Sequence, residues 1–324
     1  MPISRRRSAA AGLAALVLLT GCGEDEPESA DAAAGTSPPR VTGSSKATTP
    51  TKKPAGTTKK PAAATTAPVA TAIPDDATVA APGTMTTVVY YVVDDAELGP
   101  RLAREFRRVP RSTGVVRAAV DAMLHLAPLD PDYTSPWPKS AKVLGASIKD
   151  DTATIDLSAG SMSNLTNLGS AFETAAQQQL IWTVTAVAPT VQRVRLTVAR
   201  KTPGSGHVDW SAPQRRAKHH DILVPVQISS PGHGAKVRRR LTVTGEATVF
   251  EASVSWAVVD VASRKVLDKG FVTASAGAPS RGTWKFTAQL PASAARRNVE
   301  IRAWEASAKD GRVTHLDSKV VTVG

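Results

Sequence analysis

One cysteine, Cys22, stands in the whole 324-residue chain, so no intramolecular disulfide can brace any part of it. Each folded domain must therefore hold itself by burying apolar surface, and each needs a sizeable core. The position of that cysteine adds a second constraint. Arg5, Arg6 and Arg7 precede an apolar run from about Ala9 to Leu19, and the small residues Thr20 and Gly21 lead directly into Cys22. A positive start, a short apolar stretch and a small-residue processing site make an export signal. The run falls short of the roughly 20 residues that span a bilayer as a helix, so it is not expected to persist as a membrane span.

The step Leu19-Thr20-Gly21-Cys22 resembles the lipobox of bacterial lipoproteins, with an apolar residue, two small ones and then cysteine. The resemblance implies that a signal peptidase removes residues 1–21 and that the Cys22 thiol carries a diacylglyceryl group. The protein would then be fixed to the outer face of the cell membrane. Two acyl chains, each gaining about 0.8 kcal/mol per buried methylene, give durable attachment where one chain is marginal. No cofactor beyond this covalent lipid is expected.

Residues 22–84 change to Ala, Thr, Pro, Ser and Lys with almost no large apolar side chains, and TKKPA occurs twice, at Thr51–Ala55 and Thr58–Ala62. Such a segment cannot bury enough surface to offset its ordering entropy, and it reads as a disordered tether reaching roughly 45 Å as a flexible coil.

From residue 85 the pattern becomes that of a folded domain ending at 203. TTVVYYVVDD is β-branched and aromatic, which reads as a buried strand. VVRAAVDAMLHLAP carries Val116, Val120, Met123 and Leu124 at helical spacing and is closed by Pro128. KVLGASIKDDTATIDLS reads as a hairpin turning at Lys149–Thr152. A second helix is predicted from near Asn167 to before Pro189, with Phe172, Ala176, Gln179, Leu180, Thr183 and Val187 on one broad face. VQRVRLTVA closes the domain as a strand with Val191, Val194, Leu196 and Val198 inward. Strand, helix, hairpin, helix, strand is a small α+β layer fold. VVYYVVDD, the hairpin ending Asp156-Leu157-Ser158 and QQQLIWTVTAVAPTVQRVRLTV together resemble the GerMN domain of spore-germination and sporulation lipoproteins. That resemblance implies an envelope component, in some members part of a multiprotein assembly or a signalling accessory, with no catalytic residues attached.

Residues 204–221 read as a basic connector, and residues 222–324 as seven short alternating strands separated by turns, which suggests an immunoglobulin-type β-sandwich without the cysteine bridge. PGHGAKVRRRLTVTGEATVFEASVSWAVVD resembles the immunoglobulin-like domain that accompanies GerMN in germination-type proteins. Arg238-Arg239-Arg240 stands where that family usually has a Ser-Pro-type step. Trp256, Trp284 and Trp304 offer a sugar platform as one reading, but two of the three fall in alternating strands and core packing is the favoured reading, whereas Trp137, between Pro136 and Pro138, reads as an exposed contact.

Basic residues number 40 against 28 acidic, and the part from Gly204 onward carries 18 against 10, so the excess sits in the connector and sandwich. Arg215, Arg216, Lys218, Lys236, Arg238, Arg239 and Arg240 are the candidate contacts for an anionic partner. For an exported chain, nucleic acid is an unsuitable target; membrane lipid through the anchor, an envelope protein or an anionic wall polymer fit better. No reaction is legible. His219-His220-Asp221 lacks a third ligand at helical spacing, Asp156 and Ser158 lack a nucleophile-elbow turn, and Asp94, Asp95, Glu97, Asp150 and Asp151 read as turn acids. The sequence therefore predicts a non-catalytic envelope lipoprotein that docks a protein partner. The alternatives are wall-polymer binding through the basic sandwich and, further off, a wall hydrolase.

Overall fold

The long apolar run of the first domain becomes β1 (Thr84–Asp95), but it does not stand alone. It turns through Ala96–Leu98, where the Asp95 carboxylate accepts the amides of Glu97 and Leu98, into an antiparallel partner, β2 (Gly99–Pro110). This second strand is absent from the sequence expectation, because GPRLAREFRRVP carries charge on both faces where a strand of an isolated domain would show alternation. A computed structural model of the chain describes residues 83–111, 114–204, 206–292 and 296–324. Cys22 and its flanking motif, and the tether as far as residue 82, lie outside the described residues, while Thr84, counted with the tether from sequence, already belongs to β1.

Helix α1 (Val115–His125) follows and buries Val116, Val120, Met123 and Leu124 as its spacing predicts. A two-residue strand, β3 (Tyr133–Thr134), adds to the free side of β1. The hairpin forms as β4 (Val143–Lys149) and β5 (Thr152–Leu157), and β5 pairs in parallel with β6 (Arg193–Val198). Parallel pairing needs a crossover, and α2 (Ser170–Val187) supplies it.

α2 is buried almost all round from Glu173 to Thr185, so its glutamine run must find partners inside the protein. Gln179 donates to the Tyr90 carbonyl (2.8 Å) and Thr183 accepts the Tyr90 amide (3.1 Å), one turn apart, and so the helix caps a stretch of β1 that β3 is too short to cover. Gln177 donates to the Asp209 carbonyl, while Gln178 donates to the Arg215 carbonyl and accepts the Ala217 amide. Residues 204–221, expected as a solvated connector, are thus a strap tied to α2, with Val208 and Trp210 in the first core. Its end forms the short helix α3 (His219–Ile222).

Trp137 corrects a second expectation. It is only 2 % exposed, in the same core as Ala141 and Val143. The loop around it is drawn inward by bonds from Ser135 to the Met123 carbonyl and from Lys139 to the Leu124 carbonyl.

The remaining residues form two packed sheets. One orders β11 (Val266–Thr273), β10 (Ser253–Asp260), β13 (Arg297–Ala306), β14 (Val313–Val323) and β8 (Lys236–Val237); the other orders β12 (Gly282–Gln289), β9 (Arg240–Ala247) and β7 (Val226–Ser230). Trp256 stacks on Phe286 at 4.0 Å between ring centroids, and Trp284 lies 6.0 Å from the same ring. Each indole lies against a glycine of its paired strand, Gly270 beside Trp256 and Gly245 beside Trp284. A methyl at 245 would collide with the Trp284 ring and the Gln227 carbonyl oxygen, which cannot both retreat. Gly245→Ala is therefore expected to cost about 1–3 kcal/mol, read as a lower urea midpoint at unchanged slope.

Candidate functional site at the domain junction

All described residues fall within one compact unit, and the reason is the charged strand β2. Its Arg104 is buried against the sandwich instead of facing water. Arg104 donates to Glu246 of β9 at 2.6 Å, and Arg281 donates to the other oxygen of the same carboxylate at 3.1 Å. Arg281 also donates to the Val224 carbonyl, and Gln227 donates to the Arg104 carbonyl at 2.8 Å. Burial alone would raise the Glu246 carboxyl, yet the flanking Arg104 and Arg281 guanidiniums hold it below its ordinary value. A carboxylate shared by two arginines balances desolvation only in a fixed geometry, so this cluster sets the register between the domains.

A second cluster sits beside it. Lys319 of β14 donates to Asp130 (2.6 Å), Asp317 (2.6 Å) and the Tyr133 hydroxyl (2.7 Å), which exhausts its three protons. The other Asp317 oxygen accepts the Ile228 amide at 2.6 Å. Burial would lower the Lys319 ammonium, but Asp317, Tyr133 and Asp130 together raise it well above the usual lysine range. Burial likewise pushes Asp317 up against the pull of Lys319. On the first-domain side, Glu105 accepts the amides of Leu129 and Asp130 and pairs with Arg107, which fixes the loop carrying Asp130. A cavity of about 160 Å³ lies between the clusters, with Arg104, Arg108, His233 and Lys319 in its lining. Arg104, Glu105 and Lys319 on its lining are each engaged with other buried groups, so the geometry is that of a clamp between domains.

The residues singled out from sequence fall elsewhere. Lys236, Arg238, Arg239 and Arg240 are exposed along β8 and the start of β9. Arg215 and Lys218 are exposed on the strap, and Arg215 lies 3.9 Å from Asp151. Arg216 differs, because its guanidinium lies 4.2 Å over the Trp182 ring and donates to Thr185, so the strap uses it internally. His219 reaches the Pro279 carbonyl of the sandwich at 2.9 Å. Asp156 accepts the Thr197 hydroxyl and the Arg200 amide, and the Ser158 hydroxyl accepts the Lys142 amide. Among the described residues no group of three metal-ligating side chains comes together, and no helix is long and apolar enough to cross a membrane.

Fold and junction define a two-domain protein in which an α+β layer domain is clamped to an immunoglobulin-like sandwich. Residues 88–202 match the Germane family model, described as sporulation and spore germination, and residues 225–312 match the Gmad2 model, the immunoglobulin-like domain of bacterial spore germination. The chain thus carries a GerMN domain followed by the germination-type immunoglobulin-like domain. Among solved structures it is similar to the tandem GerMN domains of the sporulation protein GerM from Bacillus subtilis, at 19 % identity and a TM-score of 0.34, over 42 % of this chain and 45 % of that one. It spans less than half of that structure. The first GerMN domain of the same protein matches at 17 % identity and a TM-score of 0.31, over 43 % of this chain and 97 % of that one. A candidate lipoprotein from Clostridium perfringens matches at 22 % identity and a TM-score of 0.29, over 41 % and 88 % of the two chains. The comparison with curated proteins returned no match.

Proposed function

We propose that this chain is an exported, lipid-anchored envelope protein that works by docking, not by catalysis. In this reading Cys22 carries the lipid, the low-complexity segment sets the reach, and the two domains are presented as one body to an envelope protein. The observation that supports it is the junction. Charged side chains that could serve a reaction are consumed in holding the domains at one register, which is what a docking body requires. The germination-associated descriptions of both domains name no reaction and fit an accessory role.

The first test is Cys22→Ala in the full chain. Membrane-pelleted protein is expected to become almost wholly soluble, with unaltered unfolding of the two-domain body; retention in the pellet would remove the anchor. The second is capture from membrane and wall fractions at low and high salt. A discrete protein retained at high salt supports docking, whereas recovery of wall polymer alone, lost as salt rises, replaces it with electrostatic wall attachment.

A further inference from the structure

The outer face of the five-stranded sheet carries side chains that the core does not explain. Ser255 at the centre of β10 pairs with Phe271 of β11 on one side and Trp304 of β13 on the other. Because directly paired residues point to the same face and Val254, Trp256 and Val258 point into the core, these three share the outer face. Phe271 is 76 % exposed, an unusual position for one of only five phenylalanines in an aromatic-poor chain. Trp304 is half-buried, beside the irregularity where β14 carries the exposed Leu316. The two aromatics therefore stand about 9.5 Å apart, two strand spacings, across a serine that leaves the floor between them low and polar.

The next row on the same face, two residues along, pairs Lys269 and Arg302 across Ala257. Lys269 is exposed, and the Arg302 side chain, 36 % exposed, donates to Glu300 through one terminal nitrogen while its Nε is buried. An aromatic row with a hydroxyl floor, followed by a cationic row, matches one ligand chemistry. It is a sugar ring, whose C–H face packs on aromatics, bearing an acidic substituent.

We propose that this face binds an acidic wall glycan, with a ring seated over Ser255 between Phe271 and Trp304 and its acidic group toward Lys269 and Arg302. This rests on the export half of the functional reading and not on a protein partner. It also assigns a surface separate from the exposed Lys236–Arg240 segment.

The test uses the full chain in detergent, with tetragalacturonate as the acidic glycan, cellotetraose as a neutral glycan and polyphosphate as charge without rings, followed by calorimetry. The expected result is saturable tetragalacturonate binding that Phe271→Ala weakens at least tenfold, that Lys269→Ala also weakens, and that cellotetraose matches only at much lower affinity. Phe271 is exposed enough for its variant to fold, and an unchanged thermal midpoint verifies this. Polyphosphate is expected to bind without dependence on Phe271. Tetragalacturonate binding that survives Phe271→Ala but disappears when Arg238, Arg239 and Arg240 are all replaced by alanine would overturn the assignment. So would the absence of tetragalacturonate binding, or a dimer of the unaltered chain that Phe271→Ala dissolves. The Cys22→Ala test reads anchoring separately, so the two can fail independently.

Discussion

Above about pH 10 the two-domain body is expected to lose stability steeply. Burial raises the Tyr133 hydroxyl well above its ordinary value of 10.0, and it raises Tyr91 in the same direction despite the opposing charge of Arg107. Lys319 is raised well above 10.5, since its acidic neighbours outweigh its burial. All three groups keep their protons in the folded state at pH values where the unfolded chain releases them. Their contribution is complete below the unfolded values and is lost as pH rises toward the folded ones. Each group then contributes a slope of about 1.4 kcal/mol per pH unit, so the three together give about 4. Urea midpoints measured from pH 8 to 11 should be level at first and then fall. Tyr91→Phe should reduce the final slope by about a third, and a flat profile through pH 11 would contradict the buried protonation of these three groups.

The second large effect comes from the other cluster. Glu246→Ala leaves Arg104 and Arg281 buried without their shared carboxylate, and removing one partner of a buried ion pair costs about 3–5 kcal/mol. Much of that is the desolvation of the orphaned cations. Glu246→Gln, which keeps the shape and one acceptor, is expected to cost less. The depressed Glu246 carboxyl also makes a sign prediction at low pH. Its contribution is present above the unfolded value, near 4.5, and is lost as pH falls through the lower folded value. Equilibrium urea unfolding of both variants at pH 7 and of the unaltered chain down to pH 3 reads all three expectations.

Local pattern made much of this fold legible. The hairpin at Asp150-Asp151, the face of α1 and the alternating strands of the sandwich all follow from periodicity within a short window, and both domain resemblances rest on such segments. Whatever needed a distant partner was hidden. β2 is absent from the sequence expectation because Arg104 finds its carboxylate 142 residues away, and its burial makes sense only once the sandwich is in place. Trp137 reads as exposed because prolines usually mark surface turns, yet side-chain bonds to α1 carbonyls fold its loop under the helix. The strap was hidden for the opposite reason. Its composition is polar, but two glutamines of α2 satisfy its backbone and Trp182 takes its arginine. The junction carries no motif, and the one available hint was a dense set of charges in a strand-length segment bounded by a buried strand.

The most direct test of a single body held by its junction is hydrogen exchange with peptide resolution across a urea series, comparing α2 with β13 in the full chain. One shared midpoint for the two elements is expected in the unaltered protein, with separation appearing when Glu246→Ala and Lys319→Met are combined. Two midpoints in the unaltered chain, with the double variant no different, would show that the domains fold and move independently and would contradict the clamp.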